Sequence, residues 1–191
     1  MRDPCRAARP ALLLAFAALV ALGSPRPARA DWKGNLALGY SRLFISDAPA
    51  GGFALALGVN QQAGRNLRVG PVIAYHLLGT QAVNRGSENA NVDYSMLEFE
   101  LRADWRPWGT GPRLSIGPSL TRALADISSS SAGLTFEDLA VSEWKGGCGF
   151  DAAWLPKGER PVAVGVEAGV HVSFVQKETW SVGTLRLVLE Y

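Results

Sequence analysis

His171 and Ser173 stand two residues apart, and on an extended chain that spacing puts both side chains on one face. With an acid to orient the imidazole, such a pair could act as base and nucleophile of a hydrolase. Glu98, Glu100, Arg102 and Asp104 share the same two-residue period. Enclosed on one face, groups of this kind must pair, because an isolated buried charge is costly. His76 is the only other histidine, and neither cysteine nor acid stands at ligand spacing from it, so a metal site has no support. No cofactor is expected either, since the chain has no phosphate-cradling glycine-rich helix start and no nucleophile elbow.

The first residues set the compartment in which this chemistry would operate. Arg2, Arg6 and Arg9 precede an apolar run from Ala11 to Leu22, and a proline-broken tail closes on Ala28-Arg29-Ala30. This has the form of a secretory signal, with cleavage expected before Asp31. The run is too short for a membrane-spanning helix, which needs roughly 20 apolar residues. The whole chain of 191 residues carries a formal net charge of +2, but residues 31–191 hold 14 basic and 16 acidic residues. The excess of basic charge therefore belongs to the export segment, and a nucleic-acid partner is not expected. Cys5 lies in the same segment, which leaves Cys148 without an intramolecular partner.

The elements that must position these residues show up as alternation. Trp32, Leu36, Leu38 and Tyr40 share one parity, and Lys33, Asn35, Ala37, Gly39 and Ser41 the other. A period of two with one apolar face is the signature of a strand. It recurs at Phe53 to Val59, Leu67 to Leu77, Leu97 to Trp105, Leu114 to Leu120, Trp144 to Trp154, Val162 to Phe174 and Leu185 to Tyr191. Eight strands in residues 31–191 allow about 20 residues each with connector, which suits one antiparallel up-and-down β-barrel. Pro71 lacks a ladder donor and predicts an irregularity. Links are expected at Ile45 to Gly52, Gln61 to Asn66, Gly79 to Asn91, Arg106 to Gly111, Ile127 to Ala140, Pro156 to Arg160 and Gln176 to Thr179, with the second and third odd-numbered ones long and polar.

Alternation alone fits a soluble lipocalin-like barrel as well as a membrane barrel, and the two differ in where the charge lies. Here the polar parity is mostly Gly, Ala, Ser and Thr with widely spaced charges, which suits a cramped interior better than a wet exterior. The aromatic residues sort by end. Trp32, Trp105, Trp154 and Tyr191 fall at the end bearing the chain termini, while Tyr40, Phe53, Tyr75, Trp144 and Phe174 gather toward the other, with Phe44 close by. Two aromatic rings bounding an aliphatic band form the girdle of a transmembrane barrel. Cys148 falls on the apolar face as a small hydrophobe. Asp151 and Glu143 flank the Gly146-Gly147 pair, which is expected to give curvature or room for inward side chains.

With these features the chain resembles the small OmpA/OmpX-type outer-membrane barrels of Gram-negative bacteria. The most specific element is the ending Leu185-Arg186-Leu187-Val188-Leu189-Glu190-Tyr191, a terminal aromatic preceded by alternate apolar residues. In that family the ending is the signal read by the barrel-assembly machinery; the family more often ends in Phe. The resemblance implies an integral outer-membrane protein in contact with outer-membrane lipid and lipopolysaccharide, with periplasmic termini and four outer loops. It also implies a structural role or a surface interaction with an extracellular ligand through those loops. Unlike in full-length OmpA-type proteins, no peptidoglycan-binding domain is expected after the last strand.

An eight-stranded barrel is just wide enough to be filled by its own side chains. Lys33, Arg68, Arg102, Arg113, Lys145 and Arg186 face inward against Glu98, Glu100, Asp104, Glu143, Asp151, Glu167 and Glu190. A plugging ion-pair network is expected, with Arg102 and Arg186 as hubs beside Glu98, Glu100 and Glu167 and with Asp104 among its acids. The enzyme alternative is a lipid A-modifying barrel. Outer-membrane lipid A deacylases are similar to this chain in size and carry a His-x-Ser pair on a strand. Their lipid substrate requires that pair on the lipid face, whereas His171 and Ser173 oppose the valine stripe, and the fuller motif is absent. No catalytic role is therefore expected for them.

Overall fold

Strands with one apolar and one polar parity leave unpaired edges unless the sheet closes on itself, and closure sends one parity entirely inward. A computed structural model describes residues 32–44, 50–85, 88–109, 111–130, 141–156, 162–174 and 179–191. They form eight strands: β1 (Trp32–Phe44), β2 (Ala50–Gln62), β3 (Leu67–Arg85), β4 (Glu88–Trp105), β5 (Gly111–Ser130), β6 (Val141–Leu155), β7 (Ala163–Phe174) and β8 (Thr179–Glu190). Each pairs with its sequence neighbour and β8 closes against β1, so the sheet is an antiparallel barrel in the order β1 to β8. No helix among the described residues is long and apolar enough to cross a membrane, which says nothing of strands. The expected export segment, residues 1–30, lies outside the described residues.

Register fixes which side chains share the interior. Leu36 lies opposite Leu57 on β2 and Leu189 on β8, and Glu167 on β7 lies opposite Arg186 on β8. At the closing seam, Gly34 and Tyr191 exchange both backbone hydrogen bonds, at 2.9 and 3.0 Å. Around Pro71 the β2–β3 ladder passes from Gly58 opposite Val72 to Gln61 opposite Val69 without a change of register. The irregularity expected at Pro71 is thus a gap. The register shift of β3 lies farther on, between Leu77 and Gly79, where Gly79 takes φ +82°.

Two links differ from the sequence expectation. Gly79 to Asn91 is largely strand, with β3 running to Arg85 opposite Glu88 on β4. Residues 127–130, placed in the third odd link, extend β5 along β4, where Ser130 lies opposite Ala90. These stretches are polar and show little alternation, and pairing with a neighbouring strand supplies what their own pattern lacks. As a result β3, β4 and β5 reach 19, 18 and 20 residues, against 12 each for β7 and β8. Residues 45–49, 86–87, 110, 131–140, 157–160 and 176–178 of the expected links lie outside the described residues.

Candidate functional site

The barrel interior gathers most of the charged groups singled out above. From the end that bears the termini, Arg68 pairs with Glu190 at 2.9 Å, and Arg106 reaches the same carboxylate. Arg113 lies 3.8 Å from Asp104 and bonds Glu167, while Asn60 donates to Asp104 at 2.6 Å. Deeper in, Arg186 bridges Asp151 at 2.7 Å and Glu167 at 2.6 Å. Arg102 contacts Glu100 at 2.8 Å, Asp151 at 2.8 Å and Glu167 at 3.4 Å. All these central groups are buried. Asp151, which the sequence offered only as an inward acid beside a glycine pair, touches Arg102, Arg186 and His171 and so joins strands β4, β6, β7 and β8.

Small residues on the facing strands make the space. A Cβ on Gly169 would come within 1.9 Å of Asp151 Oδ1, and one on Gly149 within 2.8 Å of His171 Nδ1. Ala37, Ala56, Val72, Ala74, Leu155 and Val188 form a buried apolar cluster inside the barrel.

His171 lies inside the charged cluster and not on the outer wall. Its Nδ1 is 2.9 Å from Glu98 and its Nε2 is 3.2 Å from Asp151, so each ring nitrogen has a carboxylate within contact distance. His76 stands on the other side of Glu98 at 3.7 Å, with its ring centre 5.8 Å from that of His171. Ser173 is buried on the inner wall beside Gly147 of β6. Among the described residues no three His, Cys, Asp or Glu side chains are arranged to hold a metal. Glu143 and Lys145 form a separate pair at 2.9 Å.

Beyond the histidines the interior changes character. Leu43, Leu78, Val92, Met96, Ala123, Ala125, Trp180 and Val182 form a buried apolar cluster toward the end that carries the odd-numbered links. Tyr94 meets Trp180 edge-on, with ring centres 6.0 Å apart. The sequence signal for this second core was hidden, because Leu43, Leu78 and Val182 share parity with the polar positions.

The outer wall carries the opposite parity. Leu185 and Leu187 are 57% and 62% exposed, while Arg186 between them is 1% exposed. Trp32, Trp105, Trp154 and Tyr191 are all exposed at the terminal end. Tyr40, Phe53, Tyr75, Trp144 and Phe174 are exposed toward the other, as is Phe44. Cys148 is exposed on the same wall. Pro71, Phe99, Leu101 and Pro118 line a shallow apolar depression on that wall.

No family model matches the chain, and no curated protein matches it. Solved structures do. Neisserial surface protein A superimposes with a TM-score of 0.56 at 16% identity, covering 85% of this chain and 98% of the other. The attachment invasion locus protein Ail of Yersinia pestis, solved with the heparin analogue sucrose octasulfate, gives 0.53 at 14%, covering 84% and 99%. The outer membrane protein OprG of Pseudomonas aeruginosa gives 0.52 at 11%, covering 83% and 95%. The fold is that of the small eight-stranded outer-membrane barrels. In this barrel the charged parity fills the lumen and the apolar parity forms the outer wall.

Proposed function

We propose that the protein is an integral outer-membrane barrel of a Gram-negative bacterium, closed inside by its own side chains and not an enzyme. The observation that carries this reading is the inverted polarity of the wall: buried Arg186 between exposed Leu185 and Leu187, with the same sense at Arg102 beside Leu101, Arg113 beside Leu114 and Glu167 beside Val166. A soluble barrel of this size would turn the leucines inward and the arginine to water. Hydrocarbon outside and paired charge inside satisfy both parities together. The two aromatic groups then sit at the two lipid boundaries, Trp32, Trp105, Trp154 and Tyr191 at one and Tyr40, Phe53, Tyr75, Trp144 and Phe174 at the other. In this reading residues 1–30 are the export signal, the termini are periplasmic, and the strand ending in Tyr191 is what the assembly machinery engages.

The interior network of Glu98, Glu100, Arg102, Asp104, Glu167 and Arg186, joined by Asp151 and capped by the apolar cluster, serves as the plug. Binding of an extracellular ligand is assigned to the outer loops, on the general ground that such scaffolds place recognition there. Ail, similar in fold, was solved with a heparin analogue. Two measurements test the reading. Expressed in a Gram-negative host, the chain should sediment with outer membranes and show a heat-modifiable gel shift; recovery in the soluble periplasmic fraction would overturn it. In planar bilayers the purified barrel should give no steady large conductance, and such a conductance would remove the plug. Ser173→Ala should leave lipid A acylation unchanged, because that hydroxyl is buried on the inner wall.

A further inference from the structure

The arginines of the lumen and those of the outer wall are held in different ways. Arg68, Arg102, Arg106, Arg113 and Arg186 each have a carboxylate partner. Arg42 and Arg122 point outward, and among the described residues neither has one. Each lies over an aromatic ring instead, Arg42 at 5.7 Å from the centre of Phe44 and Arg122 at 5.9 Å from that of Trp144. Each also interrupts an apolar stripe toward the odd-link end of its strand. Outward positions on β5 run Leu114, Ile116, Pro118, Leu120, then Arg122, Leu124 and Asp126. Those on β1 run Leu36, Leu38, Tyr40, then Arg42 and Phe44.

An arginine facing hydrocarbon is costly at mid-membrane and nearly free at the interface. Arg122 lies opposite the boundary residue Trp144, so in the proposed placement it stands at the headgroup level on β5, where a guanidinium without a carboxylate partner meets anionic groups. Its surroundings are built to hold it. Trp144 is braced by Phe99 at 5.9 Å, and Arg122 Nη2 donates to Ser142 Oγ at 3.3 Å. The ring contact and one hydrogen bond position the guanidinium, and its other donors have no side-chain partner among the described residues, which suits a phosphate.

We propose that Arg122, Trp144 and Ser142 form a binding site for the phosphate of a lipid headgroup in the leaflet at the odd-link end of the barrel. Arg122 supplies charge and paired donors, Trp144 the shelf beneath it, and Ser142 a hydroxyl that accepts from Arg122 and can donate to a phosphate oxygen. The site rests on the membrane placement proposed above, in which that leaflet's phosphate-bearing lipid is lipid A. Arg42 over Phe44 repeats the stacked arrangement on the opposite wall.

The test uses the full barrel in detergent micelles, titrated with bisphosphorylated lipid A and with the same lipid stripped of its phosphates, with retained lipid read by native mass spectrometry. The phosphorylated form should bind roughly tenfold or more tightly, as expected for charge-assisted hydrogen bonds. Arg122→Gln should abolish that preference, and Arg122→Lys should keep only part of it because the fork is lost. Arg65→Gln, in the turn after β2, should change nothing. Unaltered preference in Arg122→Gln, or no preference in the parent chain, overturns the site. Displacement by inorganic phosphate as effective as by the lipid identifies a free-anion site and overturns the lipid assignment. All variants are scored for the heat-modifiable shift; its absence from the parent chain breaks the membrane reading and the site with it, whereas a shift without phosphate preference breaks the site alone.

Discussion

Along β8 the inward positions run Trp180, Val182, Thr184, Arg186, Val188 and Glu190, and along β4 they pass from Val92 and Met96 to Glu98, Glu100, Arg102 and Asp104. The same wall therefore encloses two cores. Toward the odd-numbered links Leu43, Leu78, Val92, Met96, Trp180 and Val182 fill the lumen with apolar volume. Toward the termini three central arginines and their acids fill it with charge. The two cores fail differently. An apolar cluster loses the contacts of whichever side chain is removed, in proportion to the cavity left behind. A buried ion network stays favourable only while complete, because deleting one member strands its partners in a dry interior.

The largest expected effect breaks the charged core at Arg186, which serves both Asp151 and Glu167. Arg186→Met should cost about 4 kcal/mol in urea unfolding of the vesicle-inserted barrel. The double change Arg186→Met with Glu167→Leu should cost less than the single one, since Asp151 retains Arg102 and one stranded acid is removed. A double-mutant cycle showing simple additivity would erase the distinction between the cores. Next comes Leu78→Ala in the apolar core, expected to cost roughly 3 kcal/mol by the same assay, with no rescue by a second truncation beside it. Gly169→Ala follows at about 2 kcal/mol, because the new Cβ meets Oδ1 of the Asp151 carboxylate, a group held by Arg102, His171 and Arg186 together. The smallest effect is that of salt. Raising sodium chloride from low to molar concentration should shift stability by less than roughly 0.5 kcal/mol, since buried pairs are weakly screened. A larger loss would mean that water and ions reach the network.

Outward residues such as Leu114, Ile116 and Leu120 against inward Arg113, Ser115 and Thr121 were legible because one period describes a whole strand. The ion network was read as a set of inward charges with Arg102 and Arg186 as hubs beside Glu98, Glu100 and Glu167, without its individual contacts. That Arg186 meets Asp151 as well as Glu167, and that His171 lies between Glu98 and Asp151, depends on contacts across a lumen between residues far apart in the chain. The apolar core was missed because its members share parity with polar residues, so no single strand announces it. The extensions of β3, β4 and β5 were missed for a related reason. Residues 79–85, 88–91 and 127–130 have no apolar stripe of their own and are strands through their partners' ladders.

Parity is a local property, set by the two-residue period of an extended chain, and the sequence by itself determined the strands, their faces and the sorting of aromatic residues toward the two ends. Register and closure are tertiary. They decided which charges meet, by bringing β4, β6, β7 and β8 around Asp151. They also decided where the lumen turns from charged to apolar, because a closed barrel of this width forces every inward side chain to find its partner across a few ångströms of space that no single strand can specify.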